Sequence, residues 1–117
     1  MPFDSGLSEE KFAYLTTKGR RSGLPRQIEI WFVLSGDGAT VYMMAGEGER
    51  SNWLRNLRDE PEVSVRIGEV TLSGRAEVLG AGEEDETARD GLVRKYRTSR
   101  GDLEGWRRSG LPVAVRV

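Results

Sequence analysis

Apolar and polar positions alternate along much of this chain, and that period of two predicts strands. Residues 11–17 hold Phe12, Tyr14 and two threonines and read as a first strand. Residues 27–34 alternate cleanly: Ile28, Ile30, Phe32 and Leu34 face one way, and Glu29, Trp31 and Val33 the other. Ser-Gly-Asp-Gly at 35–38 signals a hairpin, so residues 39–44 return as the partner strand. Residues 62–67 place Val63, Val65 and Ile67 on one face, and Gly68 marks a turn. A long strand follows, with Val70, Leu72, Ala76 and Val78 on one face and Gly74 read as a bulge. Residues 111–117 close the chain, with Val113, Val115 and Val117 on one face.

Three segments break this pattern with helical spacing. Ser51 is a candidate N-cap, and Trp53, Leu54 and Leu57 continue a short helix toward Pro61. Residues 83–98 open with four acids and end with Arg and Lys, which suits the helix dipole. Gly91 weakens that helix by about 1 kcal/mol relative to alanine. Residues 102–108 read as a second helical piece, and residues 1–8 as a loose lead-in. The prediction is a mainly β (α+β) domain: about six antiparallel strands, two or three short helices, and strands joined by hairpins rather than crossovers. That points to an antiparallel barrel or curled sheet. The 117 residues fit one domain, 1–117.

Composition narrows the chemistry. The chain has no cysteine and no histidine, so it forms no disulfide, thiolate metal site or His-based nucleophile system. Composition leaves an all-carboxylate Mg²⁺ or Ca²⁺ site open, but no metal site and no single catalytic residue is assigned. Eighteen basic against 19 acidic residues give a net charge of −1, which argues against bulk nucleic-acid binding. No apolar run reaches membrane-spanning length and no signal-peptide core follows Met1, so a soluble cytoplasmic protein is expected.

The charges are unevenly placed. Lys18, Arg20, Arg21 and Arg26 crowd a stretch that also holds Gly19, Gly23 and Ser22, with no acid among them. Glycines let backbone N–H groups converge on an anion, and guanidinium forks match phosphate oxygens. For an arbitrary protein a solvated basic loop is the commoner reading. Here the density of anion-binding groups favours a phosphate site. The loop at 45–50 carries two acids beside Gly46 and Gly48, so it reads as a flexible wall rather than a phosphate loop. Trp31, Trp53 and Trp106 are core residues by default. Trp53 follows the glycine loop in the first turn of a helix, where it can also line a flat ring. Tyr96 reads first as a packing residue and second as a polar donor at a pocket.

The stretch Leu15-Thr16-Thr17-Lys18-Gly19-Arg20-Arg21-Ser22-Gly23-Leu24-Pro25-Arg26 resembles the signature of the deazaflavin-dependent nitroreductase family. That family belongs to a wider split-barrel group of flavin and deazaflavin oxidoreductases, which includes pyridoxamine-phosphate-oxidase-like proteins. Trp53-Leu54-Arg55-Asn56-Leu57, Glu60-Pro61-Glu62-Val63-Ser64-Val65, Ala76 and Leu111-Pro112-Val113 match in order, so the resemblance spans residues 12–117. It implies a split β-barrel oxidoreductase that passes a hydride from reduced coenzyme F420 to a small electron-poor acceptor: a quinone, enone or nitro compound. It implies Lys18, Arg20, Arg21, Ser22 and Arg26 on the cofactor's phosphate side. Trp53 falls on the ring and substrate side, with Tyr96 beside the substrate. FMN is the alternative cofactor, and a flavin-binding or anion-binding module without turnover is the alternative class. The glycine loop is shorter than in the nitroreductases, and only Tyr96 and Trp106 stand for their tyrosine-rich C-terminal segment. Nitroimidazole reduction is therefore not carried over.

The second apolar face of residues 27–34, made by Trp31 and Val33, raises the question of what covers it. A barrel needs only one face for its own core. The cover is then the helix at 83–98 or a second subunit, and the split-barrel group commonly pairs barrels. A homodimer with the cofactor near the interface is the expectation.

Overall fold

The structure is a computed structural model, and it describes residues 2–97 and 103–117. The strand predicted over 27–34 is two strands. β2 runs Pro25–Ile30 and β3 runs Val33–Leu34, with Trp31 and Phe32 between them. The others are β1 (Ala13–Lys18), β4 (Thr40–Ala45), β5 (Glu62–Ile67), β6 (Val70–Val78) and β7 (Leu111–Arg116). All pairings are antiparallel, in the order β2-β1-β5-β6-β7-β4-β3. The two edge strands, β2 and β3, are therefore consecutive in the chain and two residues apart. So short a link spans only about 10 Å, and the sheet must curl until its edges approach. This is the mainly β, split-barrel fold expected, with seven strands because one predicted strand breaks.

The break keeps the period of two. Ile28, Ile30, Phe32 and Leu34 all pack into the interior, with Phe32 fully buried. Around them lie Leu15, Val41, Met43, Val65, Ile67, Val113 and Val115. Helix α1 (Asn52–Asp59) presses Leu54 and Leu57 into the same core. Residues 2–8, expected as a loose lead-in, instead bury Phe3. The Phe3 N–H donates to the Gly38 carbonyl at 2.9 Å. A Cβ at Gly38, where φ is +72°, would lie 2.0 Å from the Phe3 oxygen, so the hairpin requires glycine there.

A second apolar layer forms outside the barrel. Helix α2 (Glu83–Lys95) and helix α3 (Leu103–Ser109) bring Ala88, Leu92, Tyr96 and Trp106 against Val33, Trp31, Tyr42, Met44 and Ala114. Every residue of β4 is buried, because the strand carries core on both faces. Trp31 and Val33 are thus partly buried against α2, α3 and Tyr96 of the same chain, the cover weighed above as the alternative to a partner subunit. Thr98, the predicted end of the first helix, and Asp102, the predicted start of the second, lie outside the described residues.

Gly74 is not a bulge: β5 and β6 pair in unbroken register from Ile67↔Val70 to Glu62↔Arg75. It marks instead a close approach of backbones. From Arg75 to Val78 β6 pairs with β7, and a Cβ at Gly74 would lie 2.7 Å from the Arg116 carbonyl oxygen.

The gap between β2 and β3 is closed by side chains. The Tyr96 hydroxyl accepts from the Phe32 N–H at 3.0 Å and donates to the Lys11 carbonyl at 2.7 Å. Lys95 Nζ donates to the Phe32 and Glu10 carbonyls, each at 2.9 Å, and lies 3.6 Å from the Phe32 ring centre. These bonds replace the ladder that Phe32 lacks. Burial pushes the Tyr96 phenol up to about 12 and the Lys95 ammonium down to about 8.

Candidate functional site

The basic segment folds as the tip of the β1–β2 hairpin. Lys18 pairs with Pro25 and Thr17 with Arg26, so Arg26 stands on strand β2 and the turn proper spans 19–24. Proline is tolerated there because β2 is an edge strand. The tip is tied internally: Gly19 N–H donates to the Leu24 carbonyl and Gly23 N–H to the Gly19 carbonyl, both at 2.8 Å. Leu24 N–H donates to Ser22 Oγ at 3.1 Å.

Between this hairpin and the start of α1 lies an open groove of about 700 Å³. Gly19, Arg20, Arg21, Ser22, Arg26 and Ile28 line one side. Gly46, Glu47, Ser51, Asn52, Trp53 and Asn56 line the other. The structure thus brings together five of the residues singled out from the sequence: Arg20, Arg21, Ser22, Arg26 and Trp53. Lys18 borders a separate hollow of about 360 Å³ on the hairpin, with Arg20, Arg21, Asp59 and Glu60. Tyr96 is not brought to the groove. It is 3 % exposed, stacked on Trp31 at 4.2 Å between ring centres, and its hydroxyl is spent on the barrel closure.

The groove's electrostatics follow from which arginines have partners. Among the described residues, Lys18, Arg21 and Arg26 have no carboxylate partner. Arg20 is held, but by neutral groups. Its Nη1 donates to Asn56 Oδ1 at 2.8 Å, its Nη2 to Asn52 Oδ1 at 3.4 Å, and its backbone N–H to Asn56 Oδ1 at 3.3 Å. Asn56 is buried and donates in turn to Thr17 Oγ1 at 3.4 Å. The groove therefore carries guanidinium groups that no described acid pairs with directly, with Glu47 the carboxylate on its far wall.

Ser51 precedes α1 with extended backbone but makes no side-chain cap, so it fills the predicted N-cap position without the capping bond. Trp53 is half-buried, packed on the barrel core while lining the groove. Its wall is braced from behind. A Cβ at Gly46 would lie 3.4 Å from the Trp106 ring, and Trp106 meets Trp31 edge-on at 5.5 Å. The glycine loop supplies a wall of the groove through Gly46 and Glu47, and its Gly48–Arg50 part is a 3₁₀ turn. Sequence reasoning missed Asn52, Asn56 and Ile28 as lining residues. The signal was present for Asn56, a polar residue three positions after Trp53 on the stripe that carries the buried Leu57.

A fully oxygenated anion such as a phosphate ester matches this donor set: unpaired guanidinium forks, a serine hydroxyl and an aromatic wall. A family model described as F420H(2)-dependent quinone reductase matches residues 5–117. Similar solved structures include one described as an F420-H2 dependent reductase, 24% identical, covering 91% of this chain and 94% of that one, with a TM-score of 0.74. A structure described as a domain-swapped dimer is also 24% identical, covering 91% of this chain and 80% of that one, with a TM-score of 0.74. A FAD-binding protein from Mesorhizobium loti is 18% identical, covering 95% of this chain and 83% of that one, with a TM-score of 0.66. At these identities the solved structures show the fold alone.

Proposed function

This chain belongs to the F420H(2)-dependent quinone reductase family, and we propose that its groove binds coenzyme F420 for reduction of a small electron-poor acceptor, with quinones first among quinones, enones and nitro compounds. The observation that carries this reading is the juxtaposition, across one groove, of unneutralised Arg20, Arg21 and Arg26 with the Trp53 ring. A bound deazaflavin supplies hydride transfer, which this chain's side chains cannot perform themselves. The residues' own work is then positional. Arg20, Arg21, Ser22 and Arg26 hold the phosphate, with Lys18 behind them on the hairpin, and Trp53 offers its face to the ring or the acceptor. Ile28 and Trp53, each packed on the barrel core, supply the groove's apolar lining.

FMN is the second reading, because the donor set recognises a phosphate and a flat ring without distinguishing a flavin from a deazaflavin. A carrier without turnover is the third. Fluorescence titration of the apo-protein with F420 and FMN side by side separates the first two. Steady-state oxidation of the reduced cofactor with added menadione separates turnover from carriage. Through the family, the reading predicts saturable binding of F420 in preference to FMN and quinone-dependent oxidation; absence of F420 binding overturns it. The homodimer keeps one support, the fold neighbour described as a domain-swapped dimer. Sedimentation at micromolar concentration tests it.

A further inference from the structure

Among the described residues, arginines hydrogen-bonded to side chains follow one pattern with one exception. Arg58, Arg75, Arg89, Arg107 and Arg116 are each held by a carboxylate. Arg20 alone, among the described residues, is held by amides, Asn52 and Asn56. A carboxylate at either position would orient the guanidinium as well and more strongly, but would cancel its charge. A neutral acceptor fixes direction and leaves the charge for a ligand. Asn56 is suited to the task because it is itself fixed: it sits on α1, is buried, and its amide N–H₂ donates to Thr17 on β1. One side chain thus joins β1, the hairpin tip and α1, and does so at the groove.

From this geometry we infer that Asn56, assisted by Asn52, is the positioning residue that holds Arg20 in the groove with its charge uncompensated, and so sets the site's preference for a phosphorylated ring over the same ring without phosphate. This rests on the proposed cofactor reading and assigns how that site selects its ligand. The role belongs to the amide as a neutral acceptor, so an isosteric carboxylate fails although its shape and its bond to Arg20 persist.

The test compares affinities for FMN against riboflavin, and for F420 against its phosphate-free chromophore, in wild type and variants. Wild type is expected to favour the phosphorylated form. Asn56→Ala is expected to lose about tenfold for the phosphorylated ligands and to change less than about twofold for the phosphate-free ones. In an Arg20→Ala background Asn56→Ala should cost little more, because both changes remove the same oriented guanidinium. Asn56→Asp should retain thermal stability yet lose phosphorylated ligand at least as severely as Asn56→Ala. Should the buried variants not fold, Asn52→Ala at an exposed position carries the same test, with a smaller loss that again vanishes beside Arg20→Ala. Unchanged phosphate selectivity in the folded variants, or losses that add in full to that of Arg20→Ala, overturns the inference alone. A wild type blind to the phosphate overturns it together with the cofactor reading.

Discussion

The face built by α2, α3 and β7 and the hairpin at 19–24 both depend on arginine, but they leave it in opposite electrical states. On the first face Arg89 is clamped by Asp85 at 2.7 Å, with side-chain exposures of 12% and 4%. Arg107 bridges Asp90 and Glu86, and Arg116 bridges Glu84 and Glu77. Tyr42 adds a hydroxyl bond to Glu84 at 2.6 Å. There the charges are consumed within α2, between α3 and α2, and, through Arg116, between α2 and the sheet. At the hairpin Arg21 and Arg26 have no described acid, and Arg20 is held by amides. The comparison teaches that an arginine's partner, not its presence, separates a fastening from a candidate binding site.

The sharpest way to break this contrast is Tyr96→Ala. It removes a buried aromatic, its stack on Trp31 and the bonds that close the barrel, so about 4 kcal/mol of stability should go. Urea unfolding measures that loss, while cofactor affinity in the folded fraction stays near wild type. A Tyr96→Ala protein of full stability with lost acceptor turnover would place Tyr96 at the substrate instead. Next comes Asp85→Ala, which strands Arg89 without its partner and should cost about 3 kcal/mol, read from the shift in denaturation midpoint. The hairpin should behave in the reverse sense. Arg26→Ala should lose about 2 kcal/mol of cofactor binding and change folding stability by less than about 0.5 kcal/mol. Titration and thermal melting of the same preparation check both halves.

The smallest effect concerns acid. The Arg116 guanidinium, with help from the Tyr42 hydroxyl, holds the Glu84 carboxyl down at about 2, against an ordinary 4.5. A depressed carboxylate stabilises the fold above its unfolded pKa and loses that contribution as pH falls through the folded value. Wild type should therefore lose this increment between pH 4.5 and about 2. Glu84→Gln should lack it at neutral pH and show a shallower acid transition. Because the pair is partly exposed, solvent screening limits the cost of Glu84→Gln to about 1 kcal/mol. Chemical denaturation of both proteins across that pH range measures the difference.

Much of the fold was legible because a period of two states which face a residue takes. Ile28, Ile30, Phe32 and Leu34 point inward as their spacing requires, even across a broken strand. The turn at 35–38, the strand from 111 and the helix after Ser51 were legible from the turn residues, breakers and apolar spacing of a few neighbouring positions. The site was partly legible for a similar local reason. Arg20, Arg21, Ser22 and Arg26 lie within seven positions of one another, so a single hairpin must bring them close.

What the sequence determined by itself was therefore local: the faces of the strands, the antiparallel hairpins, and a basic tip with no acid in it. Tertiary structure alone decided the rest. Alternation names a face but not a strand partner, so it could not show that β2 and β3 become the two edges of one sheet. Nor could it show that Tyr96, 64 residues away, would answer the backbone of Phe32 between them. Composition counts charges but not their distances. Only folding set Asp90 against Arg107 and Glu84 against Arg116, and placed the amide of Asn56, 36 residues along the chain, against Arg20.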